Sequence, residues 1–161
     1  MEYEEYIENH KKELSDREKS FKRLKKRKPK NLDEVFHAAH DVAFETIDCL
    51  KCANCCKTTS PIFRDVDILR ISKKLKITAE SFESQYLRKD EEVDWVLKSS
   101  PCTFLQPDNT CFIYDIRPAA CREYPHTDRK RMNQILDLTL KNGEICPAVS
   151  FVIGEVVRKI Q

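Results

Sequence analysis

Between Leu32 and Ile47 the apolar residues Leu32, Val35, Phe36, Ala39, Val42, Ala43 and Ile47 recur at intervals of three and four, the period of one buried helix face. A helix is therefore expected there. Asn31, followed three residues later by Glu34, marks its start, and Pro29 separates it from a preceding charged helix in which Phe21 and Leu24 form a modest packing seam. RDVDILRISKKLK, with Val66, Leu69 and Leu75 among its apolar positions, predicts a further helix. Thr78 is the expected N-cap of the next, ITAESFESQYLRK, with Phe82, Tyr86 and Leu87 inward, so the two form a helical hairpin.

Other segments follow a different pattern. TTSPIF predicts a short extended piece, and VDWVL, CTFLQ and TCFIYD, with PDN turning between the last two, predict a two- or three-stranded antiparallel unit. Pro118 suits the first turn of a short helix in RPAACREYP. Gly143 is an expected helix cap or turn, and Pro147 opens a last helix striped with Val149, Val152, Ile153, Val156, Val157 and Ile160. The expected class is α+β: a small, irregular, metal-stabilised domain over 31–161, helix-rich with a short antiparallel hairpin, preceded by a charged helical arm over 1–30.

Composition adds little to that picture. The chain has 161 residues, 40% hydrophobic and 35% charged, with a net charge of +2, the profile of a soluble protein whose overall charge names no partner. Lys19–Lys30 carries eight basic residues and no acidic one. Such a run reads first as a solvated helix face and second as a nucleic-acid contact. No apolar run reaches membrane-spanning length and the N-terminus lacks a secretory core, so the expectation is a cytoplasmic protein without a membrane partner.

The eight cysteines change the picture most. Cys49, Cys52, Cys55 and Cys56 stand as C-x-x-C-x-x-C-C, and Cys102, Cys111, Cys121 and Cys146 follow. In a reducing compartment clustered thiols point to metal or catalysis rather than disulfides. Soft thiolate sulfur selects zinc or iron, as mononuclear, polynuclear or [4Fe–4S] centres. One grouping joins Cys49, Cys52, Cys55 and Cys146 and leaves Cys56, Cys102, Cys111 and Cys121 as a second set. A continuous helix would instead put Cys49, Cys52 and Cys56 on one face with Cys55 pointing away. Both groupings stay open. His37, stacked with Asp41 one turn on, is a weaker metal candidate, His40 weaker still, and His126 an extra ligand or proton carrier.

Taken in order, CLKCANCC, PCTFL, CFIYDIRPAACREYP and the late Cys146–Pro147 resemble the YkgJ-type cysteine-cluster family, a zinc- or iron-chelating domain. The resemblance covers about 49–147 and leaves residues 1–30 outside. It implies that Cys49, Cys52, Cys55, Cys56, Cys102, Cys111 and Cys121 are the family's cysteines, with Cys146 as an eighth, and that Arg117, Pro118 and Arg122 match its R-P-x-x-C-R stretch. Arg117 and Arg122 would either neutralise metal-bound sulfur or pair with Asp115 and Glu123.

The leading function is therefore a metal-binding protein with a structural, storage, delivery or redox role. A metal- or iron–sulfur-dependent enzyme acting on a protein or peptide is the first alternative, although the chain contains no H-E-x-x-H, G-x-G-x-x-G or phosphate loop. A zinc-scaffolded nucleic-acid module using 19–30 is the second.

Overall fold

Each long apolar stripe becomes a helix. The computed structural model, which describes residues 3–160, contains α1 (Glu4–Arg27), α2 (Leu32–Thr46), α3 (Cys49–Cys52), α4 (Asn54–Thr58), α5 (Asp65–Leu75), α6 (Ala79–Tyr86), α7 (Ala119–Glu123), α8 (Leu136–Gly143) and α9 (Pro147–Ile160). Strands β1 (Leu87–Lys89) and β2 (Trp95–Leu97) pair antiparallel, Leu87 opposite Leu97. The helix-rich α+β class with one antiparallel hairpin is thus what the chain forms. Among the described residues no helix is long and apolar enough to cross a membrane.

The chain divides into two compact units, Met1–Cys52 with Pro125–Gln161, and Ala53–Tyr124. In the first, α9 supplies the central stripe: Val149, Val152, Ile153 and Val156 are fully buried against α1, α2 and α8. Each such side chain contributes roughly 1.5–3 kcal/mol of burial free energy. The seam expected on α1 is present and broader than Phe21 and Leu24 alone, since Ile7, His10 and Arg17 are buried too. Phe21 meets Phe36 of α2 edge-on, centroids 6.3 Å apart. Helix α1 stops where Lys28 turns left-handed (φ 46°) and returns its N–H to Leu24, one residue before Pro29.

Helix α2 begins at Leu32, but the Asn31 side chain makes no cap. Asp33 instead accepts from the backbone N–H groups of Arg131 and Met132 at 2.7 and 2.8 Å, fastening a segment almost a hundred residues away. Gly143 also differs from expectation: it is the last residue of α8, and no glycine has a positive φ. Its lack of a side chain is what matters, because a Cβ there would lie 2.8 Å from the His10 ring and from Ile153 Cδ1.

The second unit has a smaller core, Phe63, Ile68, Ile71, Phe82, Leu87, Leu97, Phe104 and Ile113. Thr78 Oγ1 caps α6 by accepting from Ser81 N at 3.0 Å, as the sequence indicates. Helix α5 buries Ile68 and Ile71 and leaves Val66 and Leu69 exposed. The hairpin is placed differently from expectation. VDWVL pairs with Leu87–Lys89, whereas CTFLQ and TCFIYD share one isolated bridge, Leu105 to Cys111. Asp108 accepts from Thr110 N, Asn109 is left-handed, and the chain then winds into a 3-10 turn at Tyr114–Ile116 before a ladder can extend.

Candidate metal centres

The chain crosses from one unit to the other between Cys52 and Ala53, inside the cysteine stretch. Ala53 is left-handed (φ 48°, ψ 19°) and splits that stretch into α3 and α4. An L-residue in this conformation costs about 1–2 kcal/mol. A continuous helical face joining Cys49, Cys52 and Cys56 is therefore not formed. Asp48 starts α3, its carboxylate accepting from Leu50 N at 2.9 Å.

Cys49, Cys52 and Cys146 lie in the first unit. Cys146 precedes α9, and the backbone N–H groups of Ala148 and Val149 point at its sulfur. Burial is the largest influence on this thiol and pushes it up to about 11; the two N–H groups oppose the shift, and the charges of Cys49 and Cys52 add to it. The three sulfurs therefore share one electrostatic neighbourhood. A helix N-terminus that aims N–H donors at sulfur favours the thiolate once a cation is present.

The second unit holds the other five. Cys56 is lowered to about 7, first by a hydrogen bond from the Cys55 side chain and then by the Lys57 charge, against its burial. Cys102 is joined to this segment through its backbone N–H, 2.8 Å from the Cys56 carbonyl. Burial raises Cys102 and Cys111, and the charge of Cys56 raises both further, while Phe104 N–H and Ile113 N–H donate to the respective sulfurs. Cys121 on α7 is driven up to about 12 by burial and by the charges of Cys56, Cys102 and Cys111 together. One thiol ionised near neutrality beside three that resist ionisation is the response of a sulfur cluster to its own crowded negative charge. A divalent cation reverses that penalty.

Arg117 is the local cation. Its charge opposes the upward shifts of Cys111 and Cys121, and its guanidinium lies 3.9 Å over the Tyr114 ring and donates to the Tyr114 carbonyl. The alternative pairing with Asp115 or Glu123 is absent among the described residues. Arg122 donates to the Arg117 carbonyl at 3.2 Å.

Sequence reasoning missed the pair that holds this loop. Asp67, with no exposed surface, accepts from Arg64 N, Ala119 N and Arg70 Nη2, the last at 2.6 Å. Arg70 also donates to the carbonyls of Ile116 and Arg117. Burial works to raise the Asp67 carboxyl, and the Arg70 and backbone hydrogen bonds outweigh it and hold the group low. Asp67 and Arg70 thereby set the entry to α7 and the position of Cys121. The available signal was a charged i, i+3 pair on the same helix face as Ile71.

The histidines do other work. His37 bonds the Arg129 carbonyl at 2.8 Å rather than Asp41, and His40 bonds Thr127 Oγ1 at 2.7 Å, both tying down the segment that re-enters the first unit. His126 has φ 65° at that re-entry. All eight cysteines carry thiols rather than disulfides, and among the described residues no three Cys, His, Asp or Glu side chains already stand at metal-ligand spacing. The donor chemistry nevertheless fits a soft metal, because both groups are sulfur-only and each is destabilised by its own negative charge.

Clustered thiols on a small α+β scaffold define a cysteine-cluster metal-binding class. A family model described as "putative zinc- or iron-chelating domain", CxxCxxCC, matches residues 48–147, and the chain belongs to that family. No curated protein and no solved structure shows significant similarity to it.

Proposed function

We propose that the chain is a two-centre thiolate metal protein in which all eight cysteines serve zinc or iron. Cys56, Cys102, Cys111 and Cys121 form a closed four-thiolate site in the second unit. Cys49, Cys52 and Cys146 form a three-thiolate site in the first, and Cys55 supports Cys56 by donating to its sulfur. The observation carrying this reading is the division of the thiols: Cys49, Cys52 and Cys146 lie in the first unit, and Cys56, Cys102, Cys111 and Cys121 lie in the second, where Cys102 N–H bonds the Cys56 carbonyl at 2.8 Å. Four protein ligands are the pattern of structural zinc, while three leave a position for water, a delivered ligand or a substrate. The closed site then stabilises the fold, and the open one performs storage, delivery or redox chemistry. If that fourth position accepts a protein or peptide substrate, the chain is an enzyme. Thiolate ligands suit a reducing compartment such as the cytoplasm, which supports that location for this function.

The test is anaerobic purification with metal quantification and native mass spectrometry. Two metal-bound centres per chain are expected. Cys121→Ser removes one and leaves the other, and Cys146→Ser does the converse. A brown preparation with charge-transfer absorption assigns iron–sulfur, and a colourless one assigns zinc. Purified protein with eight unmetallated thiols overturns the reading.

A further inference from the structure

The basic run at the end of α1 does not act alone. Asp33 takes the N–H groups of Arg131 and Met132, His37 holds the Arg129 carbonyl, and Lys25 pairs with Asp137 at 2.5 Å. These bonds lay the segment Asp128–Asp137 alongside Lys25–His37, all within the first unit. Residues 22–34 and 128–137 together carry ten lysines and arginines against four carboxylates. Arg129, Lys130 and Arg131 are exposed, as are Lys22, Lys26, Arg27, Lys28 and Lys30. Of the four carboxylates, Asp33 is occupied by backbone N–H groups and Asp137 by Lys25, while Asp128 lies 4.0 Å from His40 Nε2. Among the described residues none of Lys22, Lys26, Arg27, Lys28 and Lys30 enters an ion pair.

We propose that this two-segment basic surface binds the sugar-phosphate backbone of a single-stranded nucleic acid without regard to sequence. Three features select that occupant. Lys22, Arg23, Lys26 and Arg27 follow one another at steps of one, three and one on the outer face of α1, so their charges line up along one direction, as phosphates do on a strand. The apolar face of α1 is already buried through Ile7, Phe21 and Leu24, so the helix has no apolar side left to enter a bilayer. Arg23 and Arg27 also edge a recess of about 420 Å³ floored by Leu24, Val157 and Ile160, an apolar shelf on which a base can lie beside a guanidinium. No base-reading motif accompanies the surface, so the binding is electrostatic. Acidic polypeptides and anionic membranes are the competing occupants.

Fluorescence anisotropy of a labelled 20-nucleotide single strand with the full chain as purified tests the proposal. With about five phosphates contacted, affinity falls roughly a hundredfold between 50 and 200 mM salt. The triple variant Lys22→Gln, Lys26→Gln, Lys30→Gln lowers the salt slope by about 2. The double variant Arg129→Gln, Lys130→Gln lowers it by about 1.4, and Lys73→Gln, Lys74→Gln on α5 leaves it unchanged. Circular dichroism checks that each variant folds. No binding at 50 mM salt, indifference to the Arg129 and Lys130 changes, or equal displacement by polyglutamate or by phosphatidylserine vesicles overturns the proposal.

Discussion

Among the described residues, the first unit buries seventeen apolar side chains in one cluster and the second buries eight. The first also has the long helices, of 24, 15 and 14 residues, while the longest in the second has 11. Long amphipathic helices bury a continuous stripe; short elements with long connections leave backbone and loop to be held by something else. In the second unit Asp67 and Arg70 hold the loop before α7. Metal binding adds most to stability where the apolar core is small and thiols are clustered, and least where a large core already holds the helices together.

The largest effect that can break this contrast is metal removal. Anaerobic chelation should cost the amides of α5 and α6 about a hundredfold in hydrogen-exchange protection, while those of α9 change by less than about threefold. Equal losses in both units would abolish the distinction. Next comes Asp67→Asn, which strips the partner from Arg70 while leaving a buried polar group; urea unfolding of the metal-loaded protein should show a loss of about 3 kcal/mol. A loss under about 0.5 kcal/mol would mean that the loop before α7 is held by sulfur alone.

Within the first unit, Gly143→Ala should lower stability by about 2 kcal/mol, because the new Cβ meets the His10 ring and Ile153 at 2.8 Å. Gly154→Ala should cost less than about 1 kcal/mol, since its Cβ meets only the end of the Arg17 side chain at 3.2 Å. Melting temperatures of the two variants compare them directly, and the reverse order would refute the close-packing account.

The smallest effect is a pH dependence. His10 has no exposed surface, donates through Nε2 to the Leu140 carbonyl at 3.0 Å and accepts from Arg17 through Nδ1 at 2.8 Å, so its ring is neutral. Burial first, and the Arg17 charge second, lower its pKa below the ordinary 6.5, against opposing contributions from the Leu140 carbonyl, Glu144 and Glu13. With the folded value depressed, the unfolded chain binds the proton more readily. His10's contribution is therefore complete above about pH 6.5 and is lost as pH falls through the folded value. The stability difference between wild type and His10→Gln should shrink over that window in urea titrations. A constant difference would show that another group titrates.

Much of the fold was legible from the chain. The stripes Leu32–Ile47 and Val149–Ile160, the Thr78 cap and the Pro147 start depend on contacts within a few residues, and periodicity reports such contacts directly. Cysteine count and order likewise gave the family and the soft-metal chemistry, since sulfur keeps its ligand preference wherever it is placed. The hairpin was misplaced because Leu87–Lys89 continues an apparent helical pattern, and only pairing with Trp95–Leu97 draws it into a strand.

What tertiary structure alone decided is the division of the thiols. C-x-x-C-x-x-C-C admits several groupings, and the left-handed Ala53 divides it so that Cys49 and Cys52 share a unit with Cys146, and Cys55 and Cys56 share one with Cys102, Cys111 and Cys121. The same holds for Gly143, an apparent cap that proves to be clearance for His10, and for Arg129–Arg131, which join the α1 basic run only through Asp33 and His37. Local spacing fixes what a residue can do chemically. Its neighbours across a hundred residues are set by how the helices pack, and no local pattern encodes that.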